Sequence, residues 1–309
     1  MSSALASFRA ALRGANRVVA LTGAGISAES GIPTFRGAGG LWRQVDATQM
    51  ASPGAFDNDP SLVWEFYHHR REHCARCAPN AGHAALARLH RGMVAQGKGG
   101  VTVVTQNVDR LHHAADRAPG AHAVVELHGS LWLLKRADGS EGRYVEDGGR
   151  HVWEDRSVPL VPALAGTGDP AAHGLVGSVG VADLPHAFPG EVDELDADHP
   201  TTRTVVGRDA GSVPSLARPA VVWFGENLDP RALDAANDAV ASCDLLLVVG
   251  TSSQVYPAAG LAPVAAARGA AVAEFNVDPE PAASPGWYFE GKAGELLPDA
   301  LRLEDVENC

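Results

Sequence analysis

At 309 residues, with 45% apolar and 20% charged residues, the chain can bury a large core and has the composition of an ordinary globular protein. A formal net charge of −12 argues against non-specific nucleic-acid binding and suits basic, lysine-bearing protein partners. No apolar run approaches the ~20 residues of a membrane span, and Cys74, Cys77, Cys243 and Cys309 do not make a disulfide scaffold. A soluble protein of a reducing, intracellular compartment is therefore expected, with cytoplasm or nucleus favoured over the mitochondrion.

Along the chain, Leu5, Phe8, Ala11 and Leu12 have helical spacing. The same segment carries Arg9, Arg13 and Arg17 and no acid, as a transit peptide would, but it leads straight into the first strand and reads as part of the fold. Apolar runs at 18–21, 101–105, 124–127, 220–224, 245–249 and 271–275 predict buried strands of a parallel sheet. Helix-period stretches at 81–91, 230–241 and 257–268 lie between them, and Ser61 is a good N-cap for a further helix to about residue 73. The expected fold class is α/β: a doubly wound, Rossmann-like parallel sheet with a helical insert and a second, divergent small-domain insert. Residues 1–38, 90–134 and 218–309 would form the nucleotide-binding domain, 39–89 the helical module and 135–217 the divergent acidic insert.

The stretch Gly23-Ala24-Gly25-Ile26-Ser27-Ala28-Glu29-Ser30-Gly31-Ile32-Pro33-Thr34-Phe35-Arg36-Gly37 follows the first strand. Closely spaced glycines let a backbone pass near a pyrophosphate, although Gly23 and Gly25 alone would suit any tight turn. Pro33 and its flanking glycines interrupt the helix of a standard dinucleotide fold, which excludes a Rossmann dehydrogenase and leaves a loop carrying Phe35 and Arg36. Gln106, Asn107 and Asp109 follow another strand, where they can bind ribose and carboxamide groups, cap the next helix, or do both. His128 ends a third strand beside Gly129, a position suited to a general base.

These stretches, with Glu126-Leu127-His128-Gly129-Ser130, Phe224-Gly225-Glu226-Asn227 and Gly250-Thr251-Ser252-Ser253, stand in an order that resembles the sirtuin family of NAD-dependent protein deacylases. The resemblance covers about residues 4–134 and 218–303 and fails between them. It implies that NAD is a consumed co-substrate: nicotinamide is expelled, and the acyl group of an acyl-lysine protein ends on ADP-ribose. His128 would activate a ribose hydroxyl, Asn107 and Asp109 would form the nicotinamide pocket, and Gln106 would meet the ribose. Gly23, Ala24, Gly25, Ile26, Glu29, Thr34, Phe35, Arg36 and Trp42 would belong to the cofactor loop; Gly250, Thr251 and Ser252 to the phosphate-proximal loop; Asn276, Val277, Asp278 and Ala293 to the adenosine side. Val221, Phe224, Gly225 and Glu226 would clamp the peptide as an added strand.

On the predicted helix, Tyr67 and Arg70 share a face and can converge on one anion, although Arg70-Arg71-Glu72 alone would pass for a solvated face. The Tyr-x-x-Arg pair resembles the mark of the sirtuin-5-like (class III) subgroup, which removes succinyl, malonyl and glutaryl groups, and the small Ala38 would leave room for them. The departure is the insert: sirtuins usually carry a cysteine-ligated zinc ribbon there, and 135–217 contains no cysteine. His151, His173, His186 and His199 are scattered, and Cys74-x-x-Cys77 is one pair without a second. No metal, no nucleic acid and no membrane partner is therefore expected. Rival readings are a plain deacetylase or mono-ADP-ribosyltransferase on the same site, and a non-catalytic NAD or ADP-ribose binding module.

Overall fold

The computed structural model describes residues 3–34, 41–43, 45–137, 152–169, 171, 177–187, 192–195, 203–206, 215–277 and 286–303. They form two compact units: Met1–Gly39, Cys77–His128 and Asn227–Cys309 make the first, and Gly40–Arg76 with Gly129–Glu226 the second. The helical module and the insert thus fall in one unit rather than two, and the helix Ala81–Ala95 belongs to the first.

The first unit is built on a six-stranded parallel sheet in the order Trp287–Glu290, Ala271–Asn276, Leu245–Val249, Arg17–Thr22, Gly100–Thr105, Ala123–Glu126. Its strands are mostly apolar because both faces are covered, although the buried Glu274 interrupts Ala271–Asn276. Val18, Ala20, Val101, Val103, Leu245 and Leu247 face the helices Ser3–Gly14, Ala81–Ala95 and Ala293–Ala300, where Phe8, Leu86, Leu89, Met93 and Leu297 complete one core layer. Val19, Leu21, Val104, Leu246 and Val248 face the other way, onto Ala236 and Val240 of the helix Pro230–Ala241 and Leu261 and Ala265 of Leu261–Ala267. The chain runs outward from Arg17–Thr22 in one direction and later returns to its other side at Leu245–Val249. That reversal is a topological switch point, where α/β sheets bind ligands at the carboxyl ends of their strands.

Two strand assignments need correction. The run at 220–224 is not in the parallel sheet: Ser215–Val221 pairs antiparallel with Gly129–Arg136 in the second unit, and residues 223–226 turn, with the Glu226 N–H on the Trp223 carbonyl. The sixth strand of the parallel sheet is instead Trp287–Glu290, beside Ala271–Asn276. Its aromatic run Trp287-Tyr288-Phe289 was the available signal.

In the second unit a four-stranded antiparallel sheet, Val152–Glu154, Gly129–Arg136, Ser215–Val221, His186–Ala187, packs with the helix Pro60–Ala75. That helix is capped by Asp59, which accepts from the Leu62 N–H at 2.9 Å, and not by Ser61. Ser61 instead accepts the Val179 N–H at 3.0 Å, and Gly177 lies so close that a Cβ on it would collide with the Ser61 side chain. In the insert, residues 162–164 form a 3-10 turn, and the acidic Val192–Leu195 pairs antiparallel with Arg203–Val206.

Candidate active site

The strand Arg17–Thr22 and the strand Leu245–Val249 end side by side, so the loops that follow them meet. Gly23 N–H bonds to the Val249 carbonyl at 3.0 Å and Gly25 N–H to the Gly250 carbonyl at 2.8 Å. Side chains would not fit: a Cβ on Gly25 would lie 2.7 Å from the Gly250 Cα, and one on Gly250, held at φ +57, would lie 2.5 Å from the Ile26 nitrogen. The glycines are thus required by the close approach of two backbones at the switch point. The Ala24 N–H takes no partner among the described residues, as a donor meant for an anion would.

Behind this cradle lies a buried hydrogen-bond network. Asn107 donates its amide to the Gly23 carbonyl at 3.0 Å and to Ser27 Oγ at 3.1 Å, and Ser27 donates to Asp109 Oδ2 at 2.8 Å. Asp109 Oδ1 accepts the Leu111 N–H at 2.9 Å where the helix Leu111–Ala115 begins, so the carboxylate both holds that backbone and closes the network. Gln106 reaches Thr251 Oγ1 at 2.9 Å, and Asn276 donates to the Thr251 carbonyl at 2.9 Å, linking the carboxyl edges of three strands. Sequence reasoning assigned no role to Ser27, although it stands at the centre of the network; the only signal was its place two residues after Gly25.

His128 is the last residue of the first unit. Its Nδ1 lies 2.9 Å from the Gln106 carbonyl oxygen. A carbonyl only accepts, so Nδ1 carries the proton and Nε2 presents a lone pair, the state of a general base. Burial pushes its pKa below the ordinary imidazole value, against the smaller opposing pull of the Gln106 carbonyl. Glu29 Oε2 accepts the Gly294 N–H at 2.6 Å, holding the glycine loop to the helix Ala293–Ala300, in which Ala293 is buried. Ser252 and Val277 are exposed.

In the second unit, Tyr67 and Arg70 lie one turn apart on the helix Pro60–Ala75. The Tyr67 ring is 2% exposed, its oxygen accepts the Trp223 indole N–H at 2.7 Å, and burial raises its pKa to about 12 while the Arg70 charge pulls the other way. The phenol is therefore a neutral donor near pH 7. Arg70 holds its guanidinium 5.7 Å from the Phe66 ring centre. Arg218 forks onto Glu226, with Nη1 at 2.6 Å from Oε1 and Nη2 at 2.8 Å from Oε2, and Glu226 also accepts the Trp223 backbone N–H at 2.9 Å. The Glu226 carboxylate is thus taken up inside the unit by Arg218 and the Trp223 backbone. Val221 is buried, whereas Phe224 is 49% exposed, and Gly225 adopts φ +91, a conformation that favours glycine. Trp42 is a core residue of this unit: it stacks edge-on against Phe66 and gives its indole N–H to the Gly168 carbonyl at 3.3 Å.

The Sir2 family profile matches residues 23–257, more than half of the chain. The chain belongs to the Sir2 family. Among curated proteins it is 46% identical, over 97% of both chains, to an NAD-dependent protein deacylase of Daphnia pulex. It is 42% identical over 99% of its length, and 88% of the relative's, to NAD-dependent protein deacylase sirtuin-5, mitochondrial, of Canis lupus familiaris. Solved structures similar to it include a Sir2 homologue–NAD complex (TM-score 0.69, 34% identity, covering 96% of this chain and 91% of that one). A mutant Sir2 homologue with 2′-O-acetyl ADP ribose is similar at TM-score 0.70 and 33% identity, covering 97% of this chain and 95% of that one.

Of the Sir2-family residues singled out in the sequence, Gly23, Ala24, Gly25, Ile26, Gln106, Asn107, Asp109, His128, Gly250, Thr251 and Asn276 come together at adjoining carboxyl edges of the one sheet. Phe35, Arg36, Ala38 and Asp278 lie outside the described residues. Among the described residues no group of three or more His, Cys, Asp and Glu side chains could hold a metal, and no helix is long and apolar enough to cross a membrane.

Proposed function

We propose that this Sir2-family chain is an NAD-dependent protein-lysine deacylase that selects negatively charged acyl groups such as succinyl, malonyl and glutaryl. The glycine cradle at the switch point fits NAD: it brings two backbones together with no Cβ between them and leaves the Ala24 N–H to meet a phosphate. When bound, NAD supplies an electrophilic ribose carbon and takes up the acyl group. This chain's own residues do the rest: Asn107 and Asp109, fixed through Ser27, form a polar wall for a carboxamide, and His128 Nε2 takes a proton from a ribose hydroxyl.

The observation that carries the acyl preference is the Tyr67 hydroxyl. Its oxygen is bonded to the Trp223 N–H, a group that only donates, and among the described residues nothing accepts the phenol's own proton. A buried donor without an acceptor costs about 1–3 kcal/mol, a cost that an acyl carboxylate would remove. Arg70, one turn away, adds a charge-assisted partner. Acetyl offers neither contact.

The vertebrate relatives' names carry the word mitochondrial, which weighs against the cytoplasmic or nuclear placement favoured from the sequence. Acylated-lysine proteins are the partner class that those deacylase names support.

The test compares NAD-dependent release of succinyl, glutaryl, malonyl and acetyl groups from one lysine peptide. Wild type is expected to prefer the acidic acyl groups, Arg70→Met to lose that preference, and His128→Tyr to lose all turnover. Equal or better turnover of acetyl by wild type would refute the acidic preference, and no turnover of any acyl peptide would leave an NAD-binding module.

A further inference from the structure

Tyr67 cannot read an anion unless its proton is aimed at one, and what aims it is not on its own helix. Trp223 stacks on the phenol at 6.3 Å between ring centres and 29° between planes, and its Nε1–H sits 2.7 Å from the phenol oxygen. Trp223 is in turn held by further neighbours. Phe56 packs on it at 5.3 Å, and the Arg218 guanidinium lies 3.3 Å from its ring centre, itself forked onto Glu226, which also accepts the Trp223 backbone N–H. Trp223 is 2% exposed and Tyr67 is equally buried.

We infer that Trp223 is a specificity-positioning residue, whose indole N–H occupies one lone pair of Tyr67 and thereby forces the phenol to act as donor toward an acidic acyl group. This inference rests on the acidic-acyl reading and adds to it a residue that need not touch the acyl chain. An indole N–H has no acceptor capacity, so the phenol proton must point away from it. A hydroxyl that is already accepting a bond is also a better donor to the next group in the chain. Arg218 and Glu226 then act together on the indole. A cation over the ring, fixed by a bidentate carboxylate, keeps the indole in the plane that the phenol requires.

The substitution that separates this from packing is Trp223→Phe, which keeps an aromatic ring and removes the N–H. The quantity read is the ratio of kcat/KM for a succinyl-lysine peptide to that for the same peptide acetylated, in wild type, Trp223→Phe, Tyr67→Phe and the double variant. Loss of one oriented hydrogen bond predicts a fall in the ratio of about tenfold in Trp223→Phe, carried by the succinyl KM. In the Tyr67→Phe background, where there is no hydroxyl to aim, Trp223→Phe is expected to change the ratio no further. If Trp223→Phe lowers both substrates alike, or lowers the ratio equally with and without the Tyr67 hydroxyl, the positioning role is overturned while the acidic preference stands. If wild type shows no succinyl preference at all, both fall together.

Discussion

His128 shows how one carbonyl decides the chemistry of a side chain. The Gln106 oxygen accepts from Nδ1, so the base nitrogen is Nε2, and burial keeps the ring neutral to lower pH than a free imidazole. A general base works only when deprotonated, so the acidic limb of kcat/KM against pH is expected below 6.5; a limb above 6.5 would exclude His128 as the titrating base. The glycine loops make a second residue-scale prediction. Gly250→Ala would place a Cβ 2.5 Å from a backbone nitrogen at a positive φ, and is expected to cost roughly 2–4 kcal/mol in stability and to weaken NAD binding, read by thermal melting and NAD titration. Both residues were legible in the sequence because each follows a mostly apolar stretch of strand length, 124–127 before His128 and 245–249 before Gly250. Ser27 and Trp223 were not: their importance lies in partners 80 or more positions away in sequence, which no local pattern encodes.

At the scale of elements, the helix Pro60–Ala75 organises the second unit by burying charged groups that bind backbone. Arg71, 1% exposed, donates Nη1 to the Leu131 carbonyl and Nη2 to the carbonyls of Asp155 at 2.6 Å and Ser157 at 2.9 Å, with Trp132 under its guanidinium. Burial lowers its pKa to about 10, which leaves it charged near pH 7. Glu65, fully buried, accepts from the N–H and hydroxyl of Ser178 and pairs with Arg43, which itself reaches the Thr167 and Asp169 carbonyls. These side chains tie strand and insert backbone to one helix. Arg71→Met leaves buried carbonyls unmet and is expected to cost about 3–5 kcal/mol, read by urea unfolding. EDTA is expected to leave the melting temperature of wild type unchanged; a fall of several degrees would show a structural metal. The helix was legible from its spacing, and its cap could have been read as well: Pro60 suits the first helical position, which makes Asp59 rather than Ser61 the N-cap. The antiparallel place of Ser215–Val221 had a signal in Arg218 and Pro219, which suit an irregular strand better than a central parallel one, and the register does shift between Pro219 and Val221.

At the scale of the whole molecule, acid stability is set by imidazoles buried without charge in the first unit. His83, His112 and His122 form a run with ring centres 4.8 Å and 6.3 Å apart. His83 lies beside Ser27 and accepts the Asn80 N–H, and burial lowers its pKa to about 4, with His122 acting in the same direction. His112 bonds through Nε2 to Thr22 Oγ1, and burial, then His83, His122 and His113, hold its pKa well below 6.5. His122 is lowered by burial, opposed by its hydrogen bond and attraction to Asp116, while His90 and Arg91 act in the same direction as burial. In the unfolded chain each would take up a proton near pH 6.5. A folded pKa below the unfolded one contributes stability that is whole above pH 6.5 and is lost as pH falls toward the folded value. For His83 alone, the interval from 6.5 to about 4 corresponds to about 3 kcal/mol. Urea unfolding at pH 7.5, 6, 5 and 4.5 is therefore expected to show stability falling steadily across that window. His83→Gln or His122→Gln should flatten the slope even if it lowers stability at pH 7.5, because the variant has one fewer proton to gain on unfolding. A slope that both variants leave unchanged would mean that carboxylates, and not this run of histidines, govern the acid limit.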